Sequence, residues 1–126
     1  MKVSDIMKKA VVVDDSSITL KQAAKIMTER KIGSLIILKE DKIIGILTES
    51  DVVKDIDSIN KKLSELMSKD IISIDKNSII EDAARLMKQN KIKRLPVLDG
   101  KNLVGIITAT DIIQSSNELN EDFFFD

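Results

Sequence analysis

The chain repeats itself with a constant offset of sixty residues. Residues 3–53 align with residues 63–113 without a gap, and most of the remaining apolar pairs exchange one aliphatic side chain for another. The identical pairs include Met7/Met67, Ala23/Ala83, Ala24/Ala84, Met27/Met87, Gly45/Gly105, Thr48/Thr108 and Asp51/Asp111. A unit of about fifty residues buries too little surface to be stable alone. The repeat therefore predicts two copies of one supersecondary unit that pack together.

Each copy predicts the order strand, helix, strand, strand, helix, preceded by a single helical turn. The first long helix of each copy has apolar residues at i, i+3, i+4 and i+7, so one face is expected to be buried. The residues of this face are Leu20, Ala23, Ala24 and Met27 in one copy, and Ile80, Ala83, Ala84 and Met87 in the other. The expected strands are Val11–Val13, Leu35–Leu38, Ile43–Leu47, Ile71–Ile74, Leu95–Leu98 and Leu103–Ile107. The expected helix caps are Ser4, Thr19, Ser64 and Ser78. We expect an α/β fold in which repeat one (residues 1–60) and repeat two (61–116) pack with pseudo-twofold symmetry, followed by a tail (117–126).

The most informative motif follows the last strand of each copy. The sequences Gly45-Ile-Leu-Thr48-Glu-Ser-Asp51 and Gly105-Ile-Ile-Thr108-Ala-Thr-Asp111 place Thr and Asp three residues apart, where a strand turns into a helix. We call this strand-to-helix junction the rim of its repeat. A rim presents side-chain oxygens and free backbone N–H groups, so it is the best candidate for a ligand site. The same spacing is also that of a capping box, which alone accounts for both residues and contributes roughly 0.5–2 kcal/mol to the helix.

The composition is a poor one for catalysis. Cysteine and histidine are both absent, which excludes disulfides, thiolate or histidine metal sites and catalytic triads. Asp14-Asp15 and Asp41 lack clustered partner oxygens, so a calcium or magnesium site is disfavoured. We expect no enzyme, no catalytic residue and no metal or cofactor of the protein's own.

Charge and aromatic content bear on the partners. The net charge is −1, and the acidic residues of the tail leave the rest of the chain mildly basic. The only aromatic residues are Phe123, Phe124 and Phe125, so the repeats offer no platform for stacking bases, and nucleic-acid binding is disfavoured. We expect these phenylalanines to pack into an apolar groove of the subunit, a dimer partner or an effector; a frayed terminus is the alternative. Without a long apolar run or a cleavable signal at Met1, a cytoplasmic protein without membrane contact is expected.

These features resemble a tandem pair of cystathionine-β-synthase (CBS) domains, the arrangement called a Bateman module. The resemblance spans residues 3–116. It rests on the Ser-x-Ile/Leu-Met turns, the Ala-Ala helices, the segment Leu95-Pro96-Val97-Leu98-Asp99-Gly100 and the two Gly-h-h-Thr-x-x-Asp motifs, in which h is apolar. It implies that an adenosyl ligand such as AMP, ADP, ATP or S-adenosylmethionine binds in clefts between the repeats.

The resemblance implies a role for each residue of the rim. The Asp of each motif would accept the ribose hydroxyls, the Thr would lie near ribose or phosphate, and the residue before the Asp is the variable middle position. The backbone of each first strand would meet the adenine edge. The residues concerned are Val12, Thr48, Ser50 and Asp51 in one copy, and Ile72, Thr108, Thr110 and Asp111 in the other.

A basic pair distinguishes the second copy. Lys93-Arg94 precedes Leu95-Pro96-Val97 and matches the pair that contacts phosphate in the family, whereas Gly33-Ser34 stands there in the first copy. We therefore count Ser34, Lys93, Arg94 and Pro96 among the ligand-binding candidates and expect the Arg94 site to favour a phosphorylated ligand. A solvated strand start is the alternative for Lys93-Arg94, and Pro96 is expected to fix a sheet edge or a strand start.

The function implied is that of a regulatory module without catalysis. A bound adenosyl ligand would favour one arrangement of the repeats through its differential affinity, and the signal would pass to a separate effector protein. A homodimer with an isologous interface is expected. Magnesium would accompany only a bound triphosphate. Two alternatives stay open, a nucleic-acid-binding module and a ligand-free scaffold for dimerisation, and the sequence does not distinguish one adenosyl ligand from another.

Overall fold

The structure, a computed structural model, describes residues 1–14, 16–67 and 70–115. The predicted acidic and phenylalanine-containing tail therefore lies outside the described residues. The chain forms two compact units. The central unit is the continuous segment Val11–Ile71, and the terminal unit combines Met1–Ala10 with the chain from Ile72 onward. Within the described ranges, no helix is both long and apolar enough to cross a lipid bilayer.

The central unit is a three-stranded sheet with helices, in the predicted order. The sheet has the order β1-β2-β3; β1 is parallel to β2, and β2 is antiparallel to β3. Its elements are β1 (Val12–Val13), α2 (Leu20–Arg30), β2 (Ser34–Lys39), β3 (Lys42–Thr48), α3 (Glu49–Lys54), a 3-10 turn (Ile56–Ser58) and α4 (Leu63–Leu66). A two-residue turn joins β2 to β3, with positive φ at both Glu40 and Asp41. This is the turn geometry that follows the twist of a hairpin.

The terminal unit has the same architecture. Its sheet has the order β4-β5-β6, with the same parallel and antiparallel pairings. Its elements are α1 (Val3–Ile6), β4 (Ile74–Asp75), α5 (Ile80–Asn90), β5 (Arg94–Asp99), β6 (Asn102–Thr108) and the helical residues 109–115, called α6 below. The prediction of a mixed α/β fold with two similar strand-helix-strand-strand-helix units is therefore confirmed.

The long helices bury a narrower face than the predicted one. Ala23 and Ala83 are fully buried against the sheets, but Ala24 is only partly buried and Ala84 is exposed. Ile26 and Leu86, one turn further, are instead packed against the two cores. The prediction of Ala84 as a core residue was wrong. The buried stripe of α5 includes Leu86, six residues after Ile80, and leaves Ala84 on the exposed side.

Three of the four expected helix caps differ from the prediction. Thr19 caps α2 as expected, with its Oγ1 accepting from the N–H of Gln22 at 3.2 Å. No side chain caps α5, which begins after Ile79 and not after Ser78. Ser4 and Ser64 are not caps either; each is the second residue of its short helix.

The two short helices, α1 and α4, are exchanged between the repeats. We call residues 1–8 and 61–67 the lead-in segments. The N–H groups of Val3 and Ser4 donate to the carbonyls of Ser78 and Lys76 at 2.8 and 3.0 Å. Sixty residues on, the N–H groups of Leu63 and Ser64 donate in the same way to Ile18 and Ser16 at 2.9 and 3.1 Å. Each lead-in thus packs on the body of the other repeat, which explains why Ser4 and Ser64 do not act as caps: their backbone is already tied to a neighbouring turn.

The exchange also completes the two cores. Val3 and Leu63, the first helical residue of each lead-in, are fully buried. Val3 belongs to the core of the terminal unit, and Leu63 belongs to that of the central unit. Helices of one turn are unstable by themselves in water, so these contacts, and not intrinsic helix propensity, hold them in place.

A glycine in each last strand makes room for the lead-in. A Cβ added to Gly105 would lie 2.7 Å from Met7 Sδ and 2.9 Å from the carbonyl oxygen of Lys8. A Cβ added to Gly45 would overlap the side chain of Met67. Both glycines are needed because of this close approach, and Met7 and Met67 fill the space above them.

Pro96 is not at a sheet edge, contrary to the prediction. It is the third residue of β5, the middle strand, and its side chain is fully buried. Its partner across the sheet, Ile106, directs its backbone N–H and carbonyl to Lys8, at 2.8 and 2.9 Å. The missing N–H of Pro96 therefore breaks no hydrogen bond with β6.

The two glycines provide a test of this packing. Gly45→Ala and Gly105→Ala should each lower the free energy of unfolding, by about 1–3 kcal/mol as is usual for overpacking. Adding Met67→Ala to Gly45→Ala should recover part of this loss, because only a side chain obstructs the new methyl group. Adding Met7→Ala to Gly105→Ala should recover little, because the Lys8 carbonyl remains in the way. Urea unfolding of the four variants measures both effects, and equal recovery in the two backgrounds would contradict this account.

Candidate functional site

In the terminal unit, the predicted rim lies where β6 ends and α6 begins. Thr108 is the last residue of β6 and lies directly opposite Arg94, the first residue of β5. Opposed residues of an antiparallel pair project to the same face of the sheet. The N–H of Ala109 donates to the carbonyl of Lys93 at 2.8 Å. The fold therefore brings the basic pair next to the Thr-x-x-Asp motif, with Arg94 partly buried and Lys93 exposed.

Asp111 is the most buried acid of this rim. Its side chain is only 4% exposed. Its Oδ2 accepts a hydrogen bond from the N–H of Thr108 at 3.0 Å, and its own N–H donates to Thr108 Oγ1 at 3.1 Å. Its other oxygen, Oδ1, lies 3.0 Å from the Nζ of Lys8. The carboxylate is therefore held by a capping box on one side and by a lysine ammonium on the other.

In the central unit, the corresponding rim joins β3 to α3. Thr48 lies opposite Ser34, and the N–H of Glu49 donates to the carbonyl of Gly33 at 3.1 Å. Asp51 Oδ2 accepts from both the N–H and the Oγ1 of Thr48, each at 2.9 Å. The rim has the same backbone frame as its counterpart, with Ser34 in the place of Arg94.

Side-chain hydrogen bonds made by hydroxyl groups distinguish the central rim. Thr48 Oγ1 also accepts from the N–H of Asp51 at 3.3 Å and lies 3.0 Å from Ser50 Oγ. Asp51 is partly buried, and both Ser50 and its counterpart Thr110 are exposed. Among the described residues, no ion pair reaches Asp51, whereas Asp111 has one. The two rims thus share their backbone geometry but differ in charge.

The first-strand candidates are less alike than the sequence suggested. Val12 lies in the edge strand β1, paired with Ile36, and is 44% exposed. Its backbone is therefore available at the sheet edge. Ile72 precedes β4, which spans Ile74–Asp75, and its side chain packs against the core of the terminal unit. The expected strand Ile71–Ile74 is thus shifted, because only Ile74 and Asp75 pair with β5.

Lys8 is the rim residue that the sequence reasoning missed. It belongs to a lead-in segment and reaches Asp111 only because that segment docks on the body of the other repeat. One signal could have indicated this: a glycine within a strand often marks a site where another backbone approaches closely, and Gly105 precedes Thr108 by three residues.

Two surface grooves of the central unit are lined by residues other than Thr48 and Asp51. One, of about 560 Å³, is lined by α2, the residues that follow it and α3, and includes Met27, Ile32 and Val53. The other, of about 470 Å³, includes Lys39, Ile44 and Met67. In the described part of the chain, no group of three or more histidine, cysteine, aspartate or glutamate residues could hold a metal ion. The rims are therefore the places where polar groups converge.

One known domain family matches the chain twice, in agreement with the internal repeat. The sequence model of the CBS domain matches residues 3–58 and 63–118. Protein MJ1232 of Methanocaldococcus jannaschii, described as uncharacterized, is 37% identical over 115 residues, which are 90% of this chain and 39% of that protein. The chain thus spans well under half the length of this relative. The CBS domain-containing protein YhcV of Bacillus subtilis is 33% identical over 92% of this chain and 87% of its own length.

Solved structures agree with the fold. The CBS domain pair of protein MJ0100, in complex with 5′-methylthioadenosine and S-adenosyl-L-methionine, superposes with a TM-score of 0.86. It is 30% identical in sequence, and the match covers 94% of this chain and 97% of that structure. The two-unit architecture described above is thus that of a known CBS domain pair.

Proposed function

Because the chain belongs to the CBS domain family, we propose that it is a regulatory module whose Thr-x-x-Asp rims bind an adenosyl ligand and which signals to a separate effector protein. The observation that carries the proposal is the duplicated rim, in which a Thr and an Asp converge at the same strand-to-helix junction in both units. The adenosyl class is supported by the MJ0100 structure, which holds two such compounds.

The chemistry of the rims suits a ribose. A carboxylate only accepts hydrogen bonds, and each of its oxygens can accept more than one. The two hydroxyls of a ribose are donors that match such an acceptor. In each rim the Asp is already oriented by the N–H of its Thr, so the direction of the carboxylate is set before the hydroxyls arrive. Hydrogen bonds to charged groups contribute about 1.5–3 kcal/mol.

The terminal rim is the better site for a phosphorylated ligand. Arg94 stands opposite Thr108 there, and Lys93 is tied to the start of α6. Arginine can hold a phosphate through two parallel charge-assisted hydrogen bonds. The central rim has Gly33 and Ser34 at these positions, so it would suit a ligand with less negative charge. Magnesium would enter only with a bound triphosphate.

The mechanism that fits such a site is regulation without catalysis. A ligand shifts the population of conformations by the difference in its affinity for them. The sequence lacks the histidine and cysteine side chains that most often act as general bases and nucleophiles. We therefore assign the chain a sensing role, with the effector protein as the recipient of the signal.

A homodimer that associates through α3 and α6 is part of the proposal. Val53 of α3 is 73% exposed and borders the groove between α2 and α3. At the same repeat position in α6, Ile113 is 57% exposed. Exposed apolar side chains on corresponding helices favour association with another chain, and a second copy would bury them in an isologous interface.

A ligand-free scaffold is the second candidate, and one observation favours it. Both Thr-x-x-Asp motifs form complete capping boxes from their own side chains and backbone. Helix capping alone could thus account for all four residues. The two candidates differ in whether any adenosyl compound binds.

A thermal-shift panel of adenosine, AMP, ADP, ATP, S-adenosylmethionine and NAD tests the proposed function. A ligand that binds the native state at a hundred times its Kd stabilises it by about 2.7 kcal/mol, which raises the Tm by several degrees. At least one compound should do so, and none should shift the variant that combines Asp51→Ala with Asp111→Ala. If no compound shifts the wild type, the scaffold is favoured instead. A shift with DNA that disappears in moderate salt would indicate nucleic-acid binding.

Arg94 can be tested as the phosphate contact. Arg94→Ala should weaken AMP by roughly one to two decades in Kd, the value of a charge-assisted hydrogen bond, and leave adenosine nearly unchanged. Asp111→Ala should weaken both, because both contain the ribose. Arg30→Ala, which removes the same charge from an exposed position of α2, serves as the matched control. Calorimetry measures the affinities, and equal losses of AMP and adenosine in Arg94→Ala would show that Arg94 does not read phosphate.

The proposed interface is tested by replacing its apolar side chains with a charged one. Val53→Asp and Ile113→Asp should convert the dimer to a monomer, because an unpaired carboxylate is costly to bury. Val104→Asp changes an apolar residue that is 39% exposed in β6 and should leave the dimer intact. Sedimentation velocity distinguishes the states. A wild-type protein that is already a monomer would refute this part of the proposal.

A further inference from the structure

Lys8 forms an ion pair with the Asp111 carboxylate, the group that would accept the hydroxyls of a ribose. Its Nζ lies 3.0 Å from Asp111 Oδ1, and the Asp111 side chain is only 4% exposed. The other oxygen, Oδ2, is bonded to the N–H of Thr108. Very little of the carboxylate is open to solvent beside these partners. A ribose that approaches Asp111 must therefore displace the ammonium or share the carboxylate with it.

The base of the Lys8 side chain is held in place, and its end is free to move. The backbone of Lys8 pairs with Ile106 of β6 through two hydrogen bonds, of 2.9 and 2.8 Å. Gly105 allows this approach, since a Cβ there would lie 2.9 Å from the Lys8 carbonyl oxygen. The side chain itself is 69% exposed. The ammonium can thus leave Asp111 and turn to another anion close by, while its backbone stays docked.

We infer that Lys8 is a specificity-determining residue of the terminal rim. It neutralises Asp111 when no ligand is bound, and it selects ligands that carry an anionic group beside the ribose. The inference rests on the proposed function and adds to it a residue from the lead-in segment.

The selection follows from what the ammonium gains or loses on binding. A neutral nucleoside that takes the carboxylate breaks the ion pair and offers the ammonium nothing in exchange. A nucleoside phosphate offers a new anion, so that the ammonium passes from carboxylate to phosphate and remains paired. The Asp111 side chain is only 4% exposed, and a buried carboxylate that loses its counter-ion is destabilised. A phosphate keeps the ammonium beside the rim, so the anionic ligand is penalised less than the neutral one.

The central rim provides a natural contrast. The residue sixty positions after Lys8 is Ser68, which has no charge and lies outside the described residues. Asp51 has no ion pair in the described part of the chain. Lys8 therefore adds to Lys93 and Arg94 as a third cation of the terminal rim, where the repeat has no equivalent lysine.

The test compares Lys8→Met with Lys9→Met. Both variants lose one positive charge from adjacent exposed residues of the same segment, so long-range electrostatic effects are matched. In Lys8→Met, AMP should bind more weakly and adenosine equally well or more tightly, so the preference for AMP over adenosine should fall by about ten- to a hundredfold. Lys9→Met should retain the wild-type preference. Lys8→Arg, which keeps the cation, should retain most of it.

The outcomes separate this inference from the proposed function. If the wild type binds AMP but Lys8→Met loses AMP and adenosine equally, Lys8 only positions Asp111, and the inference is wrong while the proposed function stands. If the wild type binds neither compound, the inference fails, and the proposed function is decided by the other adenosyl compounds of the thermal-shift panel. The ion pair is tested without ligand by urea unfolding of Lys8→Met, Asp111→Asn and their combination. Non-additive changes in stability support the pair, whereas additive ones, like those expected for Lys9→Met with Asp111→Asn, would refute it.

Discussion

The reciprocal docking of the two lead-in segments is the constraint on which the rest of the structure depends. Each short helix is tied by its backbone to the body of the other repeat, and each contributes a fully buried residue, Val3 or Leu63, to that body's core. Neither helix is long enough to exist without these contacts. The glycines of the last strands exist for the same reason, since only a residue without a Cβ allows the approach. One topological exchange thus accounts for the short helices, the conserved spacing of Met and Gly within the duplication, and the composition of both cores.

Helix capping and the proposed ligand binding use the same atoms at the rims. The Thr-x-x-Asp motif ends a strand, starts a helix and satisfies N–H groups that would otherwise be unpaired. The same geometry holds a carboxylate in a fixed orientation at the surface of the sheet. In the terminal unit that carboxylate also pairs with a lysine ammonium. In the central unit it accepts a hydrogen bond from the Thr48 hydroxyl, which lies beside the Ser50 hydroxyl. A duplicated motif has therefore produced two rims with one backbone frame and different electrostatic character.

The sequence predicted most of the fold because the duplication provided two readings of each element. The order of strands and helices, the Thr19 cap and the position of the rims all follow from periodicity and spacing. Several of the failures share one cause, which is that they depend on contacts between residues far apart in the chain. Ser4 and Ser64 have the pattern of caps, but their backbone is tied to residues of the other repeat. Pro96 has the pattern of an edge residue, but Lys8 takes the hydrogen bonds of its partner strand. Lys8 itself could not be assigned to the site from local pattern, because only the exchange brings it to Asp111.

The exchange has a further consequence for the order in which the chain can fold during synthesis. The central unit is one continuous stretch, Val11–Ile71, so all of its strands and its docked helix are present as soon as that stretch has left the ribosome. Residues 1–10 emerge before any of it, yet their partners on β6 are made after it. Until Ile106 has been synthesised, the amino terminus has no strand to pair with, and Val3 remains without a core. The first lead-in segment is thus translated before the central unit but becomes ordered after it, and contacts of such long sequence separation are the ones that form slowly.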